Sequence, residues 1–351
     1  MISFYPGPSR IDKSIPAYLR KAVQSGILSV NHRSQSFEKL YQQTLQNFRK
    51  SLQLPADYIL LFTSSATECW EIIAQSLIGT EKSLHLYNGA FGEKWQQYTH
   101  KITKQTVSQS FGLNELPPTQ NFSGYSVICF THNETSNGTY WPNPQIKKLR
   151  KENSDALLVA DATSSMAGIK IDFTLADVWF ASVQKCFGLP AGLAVMVVSK
   201  KAIERAKIIQ HNQHYNNLNF MVEMAARFQT TYTPNVFGIY LLNQILKNRE
   251  KITNIQKNTM KRYESWLSVI EQLKPFQLLV ENKVVQSPTV LCLQGEPKVI
   301  QQVKKQAYKN GFTVGEGYGN LKASTFRIAN FPAIQRNEIK SFQKWLRTKY
   351  S

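Results

Sequence analysis

A series of short, almost wholly apolar runs sets the tightest limit on how this chain can fold. Tyr58–Thr63, Ser83–Tyr87, Ser126–Thr131, Leu157–Asp161, Val178–Ser182 and Leu193–Ser199 are each about one strand long and rich in β-branched or aromatic residues. Most lack the polar alternation of a strand with one wet face, so both faces must be covered. Longer segments with helical periodicity fall between or beside them: Phe37–Leu52, Thr67–Ile78, Gly92–Ile102, Asn143–Lys151 and Lys200–Ile209. Strands alternating with helices predict an α/β fold around a mostly parallel sheet.

The texture changes after about residue 240. A long helix is predicted over Ile252–Leu273, then strands at Phe276–Val280 and Thr289–Leu293 and a helix at Lys298–Asn310. Strands at Thr313–Val314 and Thr325–Ala329 and a last helix at Gln335–Lys349 complete the pattern. The expectation is a short N-terminal segment (1–15) packing near the ligand site, a large domain over 16–240 and a smaller C-terminal α/β domain over 241–351. The cleft between two such domains is a natural ligand site.

With 351 residues, 42% of them hydrophobic, the chain can build a substantial core. No apolar stretch approaches the ~18 residues of a membrane span, and the first residues do not form a signal peptide. Cys69, Cys129, Cys186 and Cys292 are widely spaced and form no CxxC pair, which predicts reduced thiols in a cytoplasmic protein. His211 and His214 have an H-x-x-H spacing but no accompanying acidic or cysteine partner, so no metal site is expected. The formal net charge of +19 is spread along the chain, with short basic groups at Lys147–Lys151, Lys200–Lys207 and Lys247–Lys251. That predicts a solvated basic surface attractive to anionic substrates, rather than a nucleic-acid-binding protein.

Four local patterns carry chemistry. Strand Val178–Ser182 delivers Lys185 to a Gly/Pro-rich turn, Cys186–Gly192. A lysine there is either a surface residue opening a turn or a buried amine of lowered pKa, able to form a Schiff base with an aldehyde cofactor. Strand Leu157–Asp161 ends in a carboxylate where parallel sheets bind ligands; Asp161 either caps the next turn or pairs with a cofactor ring nitrogen. Thr63–Thr67 joins a strand to a helix start, which suits both ordinary capping and an anion at the helix N-terminus. Thr131–Gly138 is a polar cluster straight after a strand, a turn or a pocket wall.

In order and spacing these patterns resemble the class V aminotransferases, and within that class the phosphoserine aminotransferases. The resemblance runs over nearly the whole chain. It begins with Phe4–Pro8 and passes through His32-Arg33-Ser34, Asn133–Gly138, Asp161 and Gln184-Lys185 to Thr233-Pro234 and Arg327–Asn330. It implies a fold-type I architecture with a seven-stranded-type sheet, a pyridoxal 5′-phosphate cofactor, amino-acid and 2-oxo-acid substrates, and a homodimer sharing its active sites. Carried over residue by residue, Lys185 would hold the cofactor as a Schiff base and shuttle the proton between the substrate Cα and the cofactor's C4′. Asp161 would hold the pyridinium, Gln184 the ring hydroxyl oxygen, and Phe91 would stack on the ring. Ala66 and Thr67 fall in the phosphate-binding turn, and Thr135 would contact ring or phosphate. Thr233 would reach the phosphate from the partner subunit. Arg327 would clamp the substrate α-carboxylate, and His32 and Arg33 would come from the partner to bind the distal anion.

One stretch departs from the pattern. Phosphoserine aminotransferases usually carry a His-Arg pair shortly before the carboxylate arginine, and here the stretch reads Gly317-Tyr318-Gly319-Asn320. A neutral pair supplies no charge-assisted bonds to a dianion, which leaves Arg33 or Lys322 to do so, or a substrate without phosphate. The sequence therefore predicts transfer between phosphoserine and 2-oxoglutarate in serine biosynthesis, with serine or alanine–glyoxylate (or pyruvate) transamination as the alternative. A cysteine desulfurase-like lyase would call for His in place of Gln184 and of Phe91, and a non-catalytic basic binding protein would have no use for Lys185, Asp161 and Gln184 together.

Overall fold

The computed structural model describes residues 1–210 and 213–351, so His211 lies outside the described residues. Two sheets organise the chain. The larger has seven strands in the order Ile59–Thr63, Ala194–Val198, Val178–Ser182, Leu157–Asp161, Val127–Thr131, Ser83–Tyr87, Thr106–Ser110. The apolar runs become its interior: Val127–Thr131, Leu157–Asp161, Val178–Ser182 and Ala194–Val198 are buried at every position. The edge strand Thr106–Ser110 was not expected. It is polar and largely exposed, so it lacks the apolar signature of its neighbours.

From Val178–Ser182 across to Thr106–Ser110 all pairings are parallel. Ala194–Val198 runs antiparallel to both its neighbours, and this one reversal positions the site. Ala194 pairs with Ser182 on one side and Thr63 on the other, so those two strands end level at the same sheet edge. Thr131 pairs with Asp161, placing two more strand ends there. The turns after four strands thus converge on the carboxyl edge, where open α/β sheets bind ligands.

Helices cover the sheet with starts set by local chemistry. Ser34 caps Gln35–Leu52 through Phe37 N, Ser65 caps Ala66–Ile73 through Glu68 N, and Ser199 caps Lys200–Ile209 through Ala202 N. Each such cap contributes about 1 kcal/mol. The helix expected over Thr67–Ile78 is regular only to Ile73 and closes as a π-helical turn over Ala74–Ile78.

The smaller sheet has five strands in the order Ile2–Phe4, Phe312–Glu316, Thr325–Ala329, Val290–Gln294, Gln277–Leu278. Its first strand comes from the N-terminus and pairs in parallel with Phe312–Val314. Phe4 anchors it, fully buried, stacked 4.7 Å from Phe342 and edge-on to Trp266 at 6.0 Å. The chain therefore starts in the small unit and crosses to the large one over Tyr5–Ser14. The boundary expected at 240/241 falls inside helix Val236–Asn248, which packs against Gln35–Leu52.

Candidate active site

A cavity of about 370 Å³ opens between the carboxyl edge of the large sheet and the small sheet. Thr131 and Asp161 of the large sheet, with Ala66, Thr67, Phe91, Thr135, Gln184 and Lys185 from the turns and helix starts at its edge, form one part of its walls; the small unit contributes Tyr5–Pro8, Glu316–Tyr318 and Arg327.

Lys185 lies at its centre. Only 7% of the residue is exposed. Nζ donates to Thr135 Oγ1 at 2.8 Å and Ser164 Oγ at 3.1 Å, and lies 5.1 Å from the centre of the Phe91 ring. Burial pulls its pKa from 10.5 down to about 8, and Asp161 and Glu134 only partly oppose that. The amine is thus partly neutral near physiological pH, the state a nucleophilic lysine needs. Gly7 makes room for it: a Cβ there would stand 2.8 Å from Lys185 Cε.

Asp161 is 5% exposed and accepts from Thr163 N at 2.9 Å and Trp70 Nε1 at 3.3 Å. None of the ion pairs among the described residues involves it. Burial therefore lifts its carboxyl above the usual carboxylate range. A buried carboxylate without a cation is costly, and a protonated ring nitrogen in the cavity would supply the missing partner. Thr131 Oγ1 is likewise buried without a hydrogen-bond partner. The residues present therefore fit a pyridoxal-type ring with an aldehyde facing Lys185.

Thr67 is exposed to the cavity at the start of helix Ala66–Ile73, whereas the amide of Ala66 is engaged by Ser182 Oγ at 2.8 Å. On the opposite wall, Arg327 donates from Nε to Glu316 O at 2.7 Å and from Nη1 to Thr135 O at 2.9 Å, which fixes the plane of its guanidinium. Tyr318 packs between the two walls, its ring 5.1 Å from Phe91 and 5.8 Å from the Arg327 guanidinium carbon.

His32, Arg33 and Thr233 do not line this cavity. They gather elsewhere: Thr233 Oγ1 is 3.4 Å from His32 Nδ1, and Arg33 Nη1 donates to Gln229 Oε1 at 2.8 Å. Burial, and then the Arg33 charge, hold the His32 pKa below its ordinary value. Lys322 is exposed and also outside the cavity.

Sequence reasoning missed several residues of the site. Trp70 and Ser164 carried no local signal, because each acts through a strand end distant in sequence. Lys94 lines the cavity as a further half-buried cation, one helical turn after Phe91. Glu134 lay inside the Asn133–Gly138 motif, but its role is visible only in three dimensions. Its buried carboxylate accepts from Phe91 N, Gly92 N, Ser136 N and Ser136 Oγ at 2.7–3.2 Å, tying the Phe91 turn to the Thr135 loop. Gly138 ends that loop at φ +79°, where a Cβ would meet Val290 O at 2.9 Å, so glycine alone fits there without a shift.

The aminotransferase class-V family model matches residues 6–317, so the chain belongs to the class V aminotransferases, fold-type I enzymes that depend on pyridoxal phosphate. Phosphoserine aminotransferase from Rhodococcus opacus is 28% identical, with 96% of this chain and 92% of the relative covered. The crystal structure of a phosphoserine aminotransferase from Cytophaga hutchinsonii superposes with a TM-score of 0.94 at 32% identity, covering 100% of this chain and 99% of that one. Alanine–glyoxylate aminotransferase from Nostoc sp. shares the fold at 19% identity and a TM-score of 0.83, over 99% and 94% of the two chains. The protein is an aminotransferase.

Proposed function

We propose that this aminotransferase is a cytoplasmic homodimer that binds pyridoxal 5′-phosphate at Lys185 and moves the amino group of phosphoserine to 2-oxoglutarate, giving 3-phosphohydroxypyruvate and glutamate reversibly. The observation that carries the reading is the convergence of Lys185, Asp161 and Arg327 on one cavity of about 370 Å³. Bound there, the cofactor supplies an electron sink for charge developing at the substrate Cα.

The chain's own residues do the rest. Lys185 Nζ, its pKa lowered to about 8, takes and returns a proton at the substrate Cα. Asp161 holds the ring nitrogen protonated, with Trp70 and Thr163 fixing the carboxylate. Phe91 forms a platform for the ring, and Gln184 bonds its hydroxyl oxygen. Ala66, Thr67 and Thr135 lie where the phosphate and ring edge are to be held, and Lys94 adds positive charge. Arg327 keeps Nη2 for the α-carboxylate, since Nε and Nη1 are engaged by backbone carbonyls. His32, Arg33 and Thr233 form one patch outside their own chain's cavity, as needed if each subunit lends that patch to its partner. In this reading Arg33 and His32 bind the substrate phosphate and Thr233 the cofactor phosphate. The large unit then runs through Asn248 and the small one from Ile252, completed by strand Ile2–Phe4.

Serine or alanine as amino donor, with glyoxylate or pyruvate as acceptor, is the second reading. It is favoured by the absence of any cation from Gly317–Asn320 beside Arg327. A half-reaction screen separates the two. Holoenzyme is mixed with phosphoserine, serine, alanine or glutamate, and conversion of the cofactor to its amine form is followed by the change in its absorption spectrum. Rapid conversion by phosphoserine and glutamate is expected. Inert phosphoserine beside fast serine or alanine would overturn the first reading.

A further inference from the structure

A second cavity, of about 880 Å³, lies behind the turn that follows Lys185. Cys186 and Phe187 form part of its wall, the N-terminal segment contributes Asp12, Lys13, Ser14 and Tyr18, and the remainder comes from Ile245–Ser265 and the segment around Pro332–Gln343. It shares no lining residue with the Lys185 cavity, and none of His32, Arg33 and Thr233 borders it.

Its charge is one-sided. Lys13, Lys261, Arg336 and Lys340 border it as exposed cations, and Arg249 and Arg262 are set deeper, against Asp12 and Glu250 as the acidic residues of the wall. Neither inner guanidinium has a carboxylate in ion-pair range among the described residues. Arg249 is held by a single bond, Nη2 to Ala167 O at 2.6 Å, while its Nε and Nη1 are shut away without a partner. Arg262 donates to Ile334 O at 3.0 Å, Thr259 Oγ1 at 3.3 Å and Phe331 O at 3.4 Å, all neutral acceptors, and its Nε is likewise unpartnered. Asp12 faces the cavity, but its Oδ1 is committed to Ser14 N and Ser14 Oγ. The neighbouring Cys186 thiol is pushed up to about 12 by burial and offers no negative charge at neutral pH. Burial lowers the pKa of both guanidinium groups, Arg249 to about 10, so this one wall carries two poorly compensated cations.

An anion in the cavity would offset both, because charges in a partly dry wall interact much more strongly than in water. We propose that this cavity is a second ligand site, distinct from the catalytic one, which takes a compact polyanion: a small polycarboxylate or a phosphorylated small molecule. The volume admits a molecule larger than a bare phosphate, and the exposed lysines would steer it inward. The ligand would press on Cys186 and Phe187 and on Asp12, whose amide donates to Gly188 O at 2.8 Å, so its occupancy reaches the Lys185 turn by direct contact.

The test uses holoenzyme in a buffer free of other polyanions, with citrate and inorganic phosphate as probes, by calorimetry and in crystals. Saturable binding of at least one probe is expected, with density between Arg249 and Arg262. Citrate alone would assign a polycarboxylate ligand, phosphate alone a phosphorylated one. Arg249→Gln and Lys261→Glu should each weaken binding about tenfold or more, the loss of one charge-assisted contact. Lys261 is exposed, so that variant keeps the test decisive if Arg249→Gln fails to fold. Density for the probes only in the Lys185 cavity, or wild-type affinity in Lys261→Glu and Arg249→Gln, would overturn the proposal.

Discussion

Replacing Lys185 with methionine should make the cofactor-free protein more stable at neutral pH, by an amount that shrinks as pH rises. The lysine is 7% exposed, and burial is the main cause that brings it from 10.5 to about 8. That drop corresponds to roughly 3 kcal/mol against the protonated form. In the unfolded chain the amine keeps its proton to about pH 10.5, whereas in the folded chain it loses it near 8. Between those values the unfolded state binds more protons, so stability rises with pH; below pH 8 the full penalty applies. Methionine is of similar length and carries no charge. It forgoes the bonds to Thr135 and Ser164, about 1 kcal/mol each, but those two hydroxyls remain bonded to each other. The expected balance is about 1–3 kcal/mol in favour of the variant at pH 7, or about 1–4 °C in Tm for a chain this long. By pH 10.5 the advantage should vanish or reverse. Urea denaturation of both apo-proteins at one protein concentration, from pH 7 to 10.5, measures the gap directly. A gap that stays constant or widens with pH would refute burial of the ammonium as a cost. The functional lysine is thus expected to be held at the expense of stability, a common trade at active sites.

Asp161→Asn should lower kcat/KM by about a hundredfold or more, because a neutral amide cannot hold a ring nitrogen protonated. Steady-state transamination assays and the cofactor's absorption spectrum would show it, and wild-type kinetics would remove Asp161 from the site. Glu134→Gln places an amide where four donors converge, leaving at least one buried N–H or O–H unpartnered; a loss of about 1–3 kcal/mol in urea denaturation is expected, and an unchanged midpoint would refute it. Burial raises all four thiols, Cys292 to about 11 and Cys186 to about 12. Ellman's reagent at pH 8 should therefore react with all four only after denaturation, and rapid reaction in the native state would contradict the buried placement.

The strands of the large sheet were legible because two-sided burial demands continuous apolar runs. Leu157–Asp161 and Val178–Ser182 match residue for residue. The strands that escaped notice lack that demand. Thr106–Ser110 is a polar edge, and Ile2–Phe4 is a strand only because Phe312–Val314 is there to pair with it. Helix Val236–Asn248 also passed unnoticed, and it spans the boundary expected at 240/241.

The sequence by itself determined the class of fold and singled out Lys185 and Asp161 as a candidate pair. A lysine just after one apolar strand and an aspartate ending its neighbour emerge together at one sheet edge when the two strands run parallel, as Leu157–Asp161 and Val178–Ser182 do. Tertiary structure alone decided their surroundings. Trp70 reaches Asp161 across 91 positions, and Arg327 meets the carbonyl of Thr135 across 192. Such contacts follow from how two sheets pack, and no local pattern encodes them. The antiparallel turn of Ala194–Val198 is the clearest case. It looks like any buried strand in sequence, yet its reversal is what brings Thr63 level with Ser182 and sets the helix start at Ala66 beside Lys185. Strand direction depends on the length and path of the connections, and apolar content does not record it.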